Sequence, residues 1–274
     1  MLGIRTYKHA RISGLLISNI ESSIMRKSLL ALGVVAAATA IPAQAEYLYG
    51  FGSMYADYQV WNHGIGNDDA GGNDISDRNQ LVIGIEGGAA FDWGQIYGFY
   101  DYEGVDRAQD KRGASTKGTI HYNLTESGVS LYAQVYNTDF DEFGAHEQNR
   151  VLGLGYTGLS GDGWAFTPFI GVHQINADAN IRGNNGGMAG WVGYYNTDLA
   201  GQNFTFSTWG EYEFGRMDEY AVTQGGDWGL NGSVNAMWNF HENWSTGVLY
   251  RYTVNKLGRE DYQDLVIYRM QYNF

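Results

Sequence analysis

Asp264-Leu265-Val266-Ile267-Tyr268-Arg269-Met270-Gln271-Tyr272-Asn273-Phe274 is the stretch whose pattern decides the fold. Counted in twos, Val266, Tyr268, Met270, Tyr272 and Phe274 share one face, while Ile267, Arg269, Gln271 and Asn273 share the other. One face is apolar and aromatic and the other is mostly polar. A strand that turns such a face to hydrocarbon and its polar face to a wet interior belongs in a closed barrel, where no edge is left unpaired.

The composition agrees with that setting. The chain has 15% aromatics, with 21 Tyr and 8 Trp, and 39 Gly against 2 Pro, yet beyond the N-terminal segment it offers no uninterrupted apolar run of the 18 or so residues that a spanning helix needs. Strands that alternate escape a hydropathy scan. At the N-terminus, Arg26 and Lys27 precede an apolar run from Leu29 to Ile41, and Ala43-Gln44-Ala45 reads as a small-residue cleavage site. Residues 25–45 are therefore expected to be a secretory signal and 46–274 the mature chain. Residues 1–24 lie upstream of Met25, which opens a complete signal by itself; they read as a misplaced translation start, or alternatively as the first part of a two-part leader.

Loss of residues 1–45 removes Arg5, Lys8, Arg11, Arg26, Lys27 and Glu21. The 17 cations and 30 anions of the full chain become 12 and 29, and the net charge moves from -13 to -17. So acidic a chain argues against a nucleic-acid polymer as partner, because phosphate binding needs Lys and Arg patches. With no cysteine, neither a disulfide scaffold nor a thiolate site is available.

Period-two segments separated by turn residues predict strands over 47–61, 79–89, 95–105, 115–124, 128–138, 150–158, 164–175, 188–197, 203–214, 227–240, 243–254 and 263–274. Six connections are long and rich in Gly, Asn and Asp: 62–78, 106–114, 139–149, 176–187, 215–226 and 255–262. Five are tight: 90–94, 125–127, 159–163, 198–202 and 241–242. Strict alternation of the two kinds predicts a single all-β, transmembrane antiparallel β-barrel of 12 strands, with short periplasmic turns and long extracellular loops. The phase is clear in 227–240, where Trp228, Leu230, Val234, Ala236, Trp238 and Phe240 alternate with Asn231, Ser233, Asn235 and Asn239. It is equally clear in 203–214, where Phe204, Phe206, Tyr212 and Phe214 oppose Thr205, Ser207, Glu211 and Glu213. Strand 188–197 has no readable phase. Trp164, Trp228, Phe240, Trp244 and Phe274 fall at expected strand ends beside short turns, where an interfacial aromatic girdle belongs.

Three stretches carry a family resemblance. Phe91-Asp92-Trp93 leading into Tyr97-Gly98-Phe99-Tyr100-Asp101, then Gln148-Asn149-Arg150-Val151-Leu152-Gly153-Leu154-Gly155, then Gln271-Tyr272-Asn273-Phe274 resemble, in this order, parts of the Tsx family of nucleoside-specific channel-forming outer-membrane proteins, which also includes the OmpK-type phage and colicin receptors. The similarity covers most of 46–274. It implies a narrow channel whose wall offers aromatic faces and ionisable groups to bases and sugars, a nucleoside-like permeant, and phage or colicin as partners at the surface.

Twelve strands fall between barrels of about eight, whose interior is filled, and porins of about 16 to 18, which leave a wide aqueous channel. A slender pore follows. Inward phase places Tyr97, Phe99, Asp101 and Glu103 on the third strand, His121 on the fourth, Tyr132 and Tyr136 on the fifth, and Phe169 and His173 on the seventh. It adds Trp209, Glu211 and Glu213 on the ninth, Arg251 on the eleventh and Arg269 on the twelfth. A ring in a wet lumen exposes apolar surface unless a flat solute stacks on it, at roughly 1 to 3 kcal/mol per base; the plainer reading is that these rings stiffen the wall. Glu86, Asp101, Glu103, Glu211 and Glu213 opposite Arg251 and Arg269 form either a transverse field that orients a solute or pairs that neutralise each other. His121 and His173 are too scattered for a metal site, and the acidic run Asp68-Asp69, Asp74 and Asp77 is either a divalent-cation loop or a solvated one.

No catalytic signature is present: there is no Gly-x-Ser-x-Gly elbow, His-Glu-x-x-His or phosphate loop. A lipase barrel needs Ser beside His on the lipid-facing wall, and Ser115 and His121 are too far apart on one strand and read as inward. The expectation is a passive channel in the outer membrane of a Gram-negative bacterium, in contact with its lipid and needing no cofactor. The alternatives are a general or differently specific porin, or a surface receptor whose loops bind partners. Intact mass of the protein recovered from outer membranes is expected to correspond to a chain beginning at Glu46; retention of 25–45 would remove the signal reading.

Overall fold

Strands form where the period-two pattern runs uninterrupted, and they turn where Gly, Asn and Asp cluster. The computed structural model describes residues 45–65, 75–140 and 145–274. The upstream extension 1–24, the signal segment up to Gln44, and Asp68, Asp69 and Asp74 of the acidic run lie outside the described residues. The strands are β1 (Tyr47–Val60), β2 (Gln80–Phe91), β3 (Gly94–Glu103), β4 (Gly113–Asn123), β5 (Val129–Phe140), β6 (Ala145–Tyr156), β7 (Trp164–Ala177), β8 (Arg182–Leu199), β9 (Gln202–Phe214), β10 (Trp228–His241), β11 (Trp244–Lys256) and β12 (Arg259–Asn273). A three-residue piece, Leu159–Gly161, folds back on the start of β7. One helix, α1 (Asp218–Gln224), lies in the connection before β10.

Each strand pairs antiparallel with the next, and β1 pairs with β12 from Ser53↔Asn273 to Val60↔Val266, so the sheet closes on itself. The result is a closed twelve-stranded antiparallel barrel. The phase of β12 is visible in exposure: Tyr268 and Met270 are 45% and 46% exposed, while Leu265 and Ile267 are 0% and 6% exposed. The first pair faces the lipid side and the second faces inward.

Three connections are shorter than the sequence suggests. Pairing continues to Phe140↔Ala145, Asn176↔Arg182 and Lys256↔Arg259, which leaves links of 141–144, 178–181 and 257–258 where 139–149, 176–187 and 255–262 read as loops. A backbone ladder does not need apolar side chains, so Gly and Asn beyond the hydrocarbon band still pair. Leu257 and Gly258 both have positive φ, 62° and 75°, the two-residue hairpin geometry that matches strand twist. The connections 61–79, 104–112 and 215–227 remain long. Trp228 is a second correction: it follows the long connection that contains α1, so it sits at the opposite rim from Trp164, Phe240, Trp244 and Phe274 and joins Tyr212 there, with ring centroids 5.9 Å apart. The short-turn rim has its own aromatic run, Phe91 on Trp93 at 5.2 Å and Trp93 on Tyr122 at 5.9 Å.

The core lies inside the barrel, in two apolar clusters. Trp61, Met237, Leu249, Leu265 and Ile267 form one, with Ile75 against it, and Tyr132, Val151, Phe169 and Met188 form the other. Met188 also fixes the phase of β8, because it packs inward while Trp191, three residues on, donates from Nε1 to Thr208 Oγ1 on the outer face at 3.3 Å. Val248 sits mid-strand on the outer face, paired with Ala236 and Tyr268. Val248→Arg is expected to lower stability by about 2 to 4 kcal/mol in reversible denaturant unfolding from lipid vesicles, and an unchanged midpoint would place this wall away from hydrocarbon.

Candidate functional site

The inner wall carries three polar knots. The first ties β12 to β1, β2 and β3. Arg269 donates from Nε and Nη2 to the two carboxylate oxygens of Asp57, both at 2.7 Å, and from Nη1 to Glu86 at 3.4 Å. Its guanidinium lies 3.7 Å from the centre of the Tyr55 ring, and Tyr55 donates its hydroxyl to Asp101 at 2.6 Å. A Cβ at Gly84 would stand 2.3 Å from both Asp101 Oδ1 and Tyr55, so the glycine makes room for that contact. Tyr97 donates to Glu86 at 2.7 Å, while Glu103 accepts from Ser115 at 2.5 Å and from Gln80 at 3.1 Å.

The second knot crosses the lumen. Lys117 Nζ on β4 reaches Glu211 Oε1 on β9 at 2.5 Å, five strand positions away in a ring of twelve. Gln134 also donates to Glu211, at 2.9 Å, and accepts from Tyr132 at 2.5 Å. The Trp209 ring centre is 5.6 Å from Lys117 Nζ and 6.0 Å from the Arg251 guanidinium, within cation–π range. Tyr136 lies 5.5 Å from Lys117 and 6.4 Å from Phe99, which is 6.3 Å from Tyr97. Arg251 donates to Asn231 at 3.1 Å and has no carboxylate within ion-pair distance among the described residues.

The third knot seats α1 in the long-loop mouth. Tyr220, 1% exposed, donates to Glu147 at 2.8 Å and accepts from Lys256 at 2.9 Å. Burial, then Glu213 and Glu147, push the Tyr220 hydroxyl well above its ordinary range, which keeps it a donor. Glu213 holds Lys256 at 2.6 Å and Arg216 at 2.9 Å, and Arg216 Nη1 caps the carbonyls of Gly226, Trp228 and Asn255.

The expected residues thus divide. Tyr97, Asp101, Glu103 and Arg269 belong to the first knot, which Phe99 links to the second; Tyr132, Tyr136, Trp209, Glu211 and Arg251 converge in the second. Phe169 stacks on Tyr132 at 4.0 Å, and His121 lies on the other side of that ring system at 4.7 Å, hydrogen-bonded to Ser130 at 3.0 Å. His173 lies apart, between Asn149 and Asn185. Sequence reading passed over Lys117, although it falls in phase between Ser115 and His121 on β4. Gln134, Asp57, Tyr55, Lys256 and Tyr220 were also missed. No group of three or more His, Asp or Glu is placed to hold a metal among the described residues.

Comparison with known families gives a match of residues 53–274 to the model described as nucleoside-specific channel-forming protein, Tsx. The chain belongs to the Tsx family. It is an outer-membrane channel of a Gram-negative bacterium, and its transport is passive. Among solved structures it is similar to the NanC porin (TM-score 0.48, 9% identity, 81% of this chain and 98% of that one). It is also similar to an outer-membrane channel from Pseudomonas putida F1 (TM-score 0.42, 14% identity, 85% and 99%) and to the channel DcaP of Acinetobacter baumannii (TM-score 0.36, 12% identity, 85% and 98%).

Removing one partner of a buried ion pair strands the other charge, which costs about 3 to 5 kcal/mol. Arg269→Met leaves Asp57 and Glu86 without their cation and is expected to lower unfolding stability by that order. Arg251→Met, which strands no paired carboxylate, is expected to change it by much less in the same unfolding assay.

Proposed function

We propose that this Tsx-family channel passes nucleosides, selected where Trp209, Lys117, Glu211 and Arg251 meet. The observation that supports this reading is the convergence of an indole face, two cations and a carboxylate from opposite walls of the barrel. A nucleoside has a flat base that stacks on Trp209 and a sugar whose hydroxyls exchange hydrogen bonds with Glu211 and Lys117. Because Lys117 and Glu211 already satisfy each other, a solute that replaces their mutual contact crosses without leaving bare charge, whereas an apolar solute does not. Tyr136 and Phe99 extend the aromatic surface toward Tyr97. Tyr132, Phe169 and His121 back this wall. Asp101, Glu103 and Arg269 set its charge from the β1–β3 side.

In this proposal the mature chain is 46–274, it performs no catalysis, and phage or colicin would meet it at the connections 61–79, 104–112 and 215–227. Deleting 62–78 is expected to abolish such binding while solute flux persists.

Liposome swelling with the purified channel tests selectivity. Adenosine or thymidine is expected to enter faster than a sugar of similar mass, and equal rates would remove the nucleoside assignment in favour of a general porin. Trp209→Ala is expected to raise the half-saturating nucleoside concentration roughly 5- to 100-fold, the equivalent of losing one stacked base, with sugar entry unchanged.

A further inference from the structure

One sector of the outer wall carries a groove. Leu152 and Leu154 of β6, Ile170 and Val172 of β7 and Phe214 of β9 line an apolar groove of about 470 Å³. Gly187 of β8 lies in its floor, where a Cβ would stand 2.4 Å from the Phe214 ring, so the glycine is what lets that ring lie flat along the groove.

Above the groove, toward the long-loop rim, the face changes character. Arg150 follows Leu152 on the same face of β6 and pairs across to Gln174; two residues nearer the rim, Gln148 pairs with Asn176, which pairs with Arg182. Arg150 and Arg182 are the strand-borne cations on the outer face of the described barrel, and both are exposed. Arg150 donates from Nε to Gln148 at 2.6 Å, a neutral partner; neither arginine takes part in an ion pair among the described residues. Among the described residues, Asp139 is engaged with His146 Nδ1 at 2.7 Å and Asp178 with the His146 amide at 2.6 Å. Two strands and two residues separate the arginines, a backbone distance of roughly 12 Å from ordinary sheet spacings. Two guanidinium arms reaching across that gap can close on one phosphate or hold two.

The geometry points to a binding site for a phosphorylated, acylated glycolipid of the outer leaflet, with an acyl chain in the groove of β6–β9 and its phosphate held by Arg150 and Arg182. An unpaired guanidinium at a membrane surface is matched by an anionic headgroup, and its planar fork fits phosphate oxygens two at a time. The apolar groove directly below supplies a seat for the chain attached to that headgroup. Short-turn aromatics on the same wall, such as Trp164, lie at the other rim, so the site is one-sided and belongs to the leaflet that the long loops enter.

Native mass spectrometry of the full chain in detergent tests this, with hexa-acylated, bisphosphorylated lipid A as probe, its dephosphorylated form, and inorganic phosphate as separate arms. Lipid A is expected to stay bound. The Arg150→Gln/Arg182→Gln double variant is expected to retain it at least tenfold less, and so is Val172→Trp, which fills the groove. The heat-dependent mobility shift of the folded barrel and nucleoside entry into liposomes are expected to match the parent, which separates this outcome from that of the lumen. Equal retention by the double variant, equal retention of the dephosphorylated lipid, or release of lipid A by inorganic phosphate alone would overturn the assignment.

Discussion

The ladder between β1 and β12 is the constraint on which everything else rests. Hydrocarbon offers no partner to a bare N–H or C=O, so a sheet can cross a membrane only when its first and last strands meet. Here they meet over Ser53↔Asn273 to Val60↔Val266, and the same segment of β12 that closes the ring supplies Arg269, which locks onto Asp57 of β1 from inside. Backbone closure and side-chain closure thus coincide at one seam. With the edges gone, period-two alternation alone sorts the side chains: Tyr268 and Met270 meet lipid because Arg269 and Ile267 cannot both point the same way as their neighbours.

Closure at twelve strands leaves less width than the wide aqueous channel of a porin of about 16 to 18 strands and more than a solid core of side chains fills. The interior resolves this unevenly. Two apolar clusters fill it near Leu265 and near Tyr132, and three polar knots tie together charged groups on the wall between and beside them. Inward Met237, Leu249 and Ile267 show why a rule of polar inside holds only on average. Trp61 and Ile75, near the two ends of the first long connection, need apolar partners, and the lumen face of β10–β12 supplies them.

Much of this is legible in the residues because a barrel is built from one repeated rule. Alternation in 227–240 and 203–214 marks each strand with its facing. What fails to read has a physical cause in each case. The early parts of β6 and β12 are polar and charged, and that of β8 is rich in Gly and Asn, since they rise beyond the hydrocarbon, where pairing needs no apolar side chain. The phase of β8 is hidden because glycines and large apolar residues occupy both its faces, and it is contact with Phe169 and Tyr132 that shows Met188 turned inward. Lys117 was in phase with His121, yet a lone lysine on a Thr- and Gly-rich strand gives no hint of Glu211, 94 positions away in sequence and on the opposite wall.

The three knots differ in how completely each charge is answered, and that difference separates fold from passage. Arg269 has two carboxylates and Glu213 has two cations, arrangements in which removing one member leaves a buried charge exposed to a low dielectric. Lys117 and Glu211 are matched one to one across the lumen, and Arg251, with no carboxylate in ion-pair distance among the described residues, rests on an amide and the face of Trp209. Surplus pairing at the seam and the mouth holds the wall and α1 in place whatever occupies the lumen. Sparse pairing at the second knot leaves donors and acceptors that a solute can engage at small cost, so the least compensated charges lie where side chains from opposite walls meet.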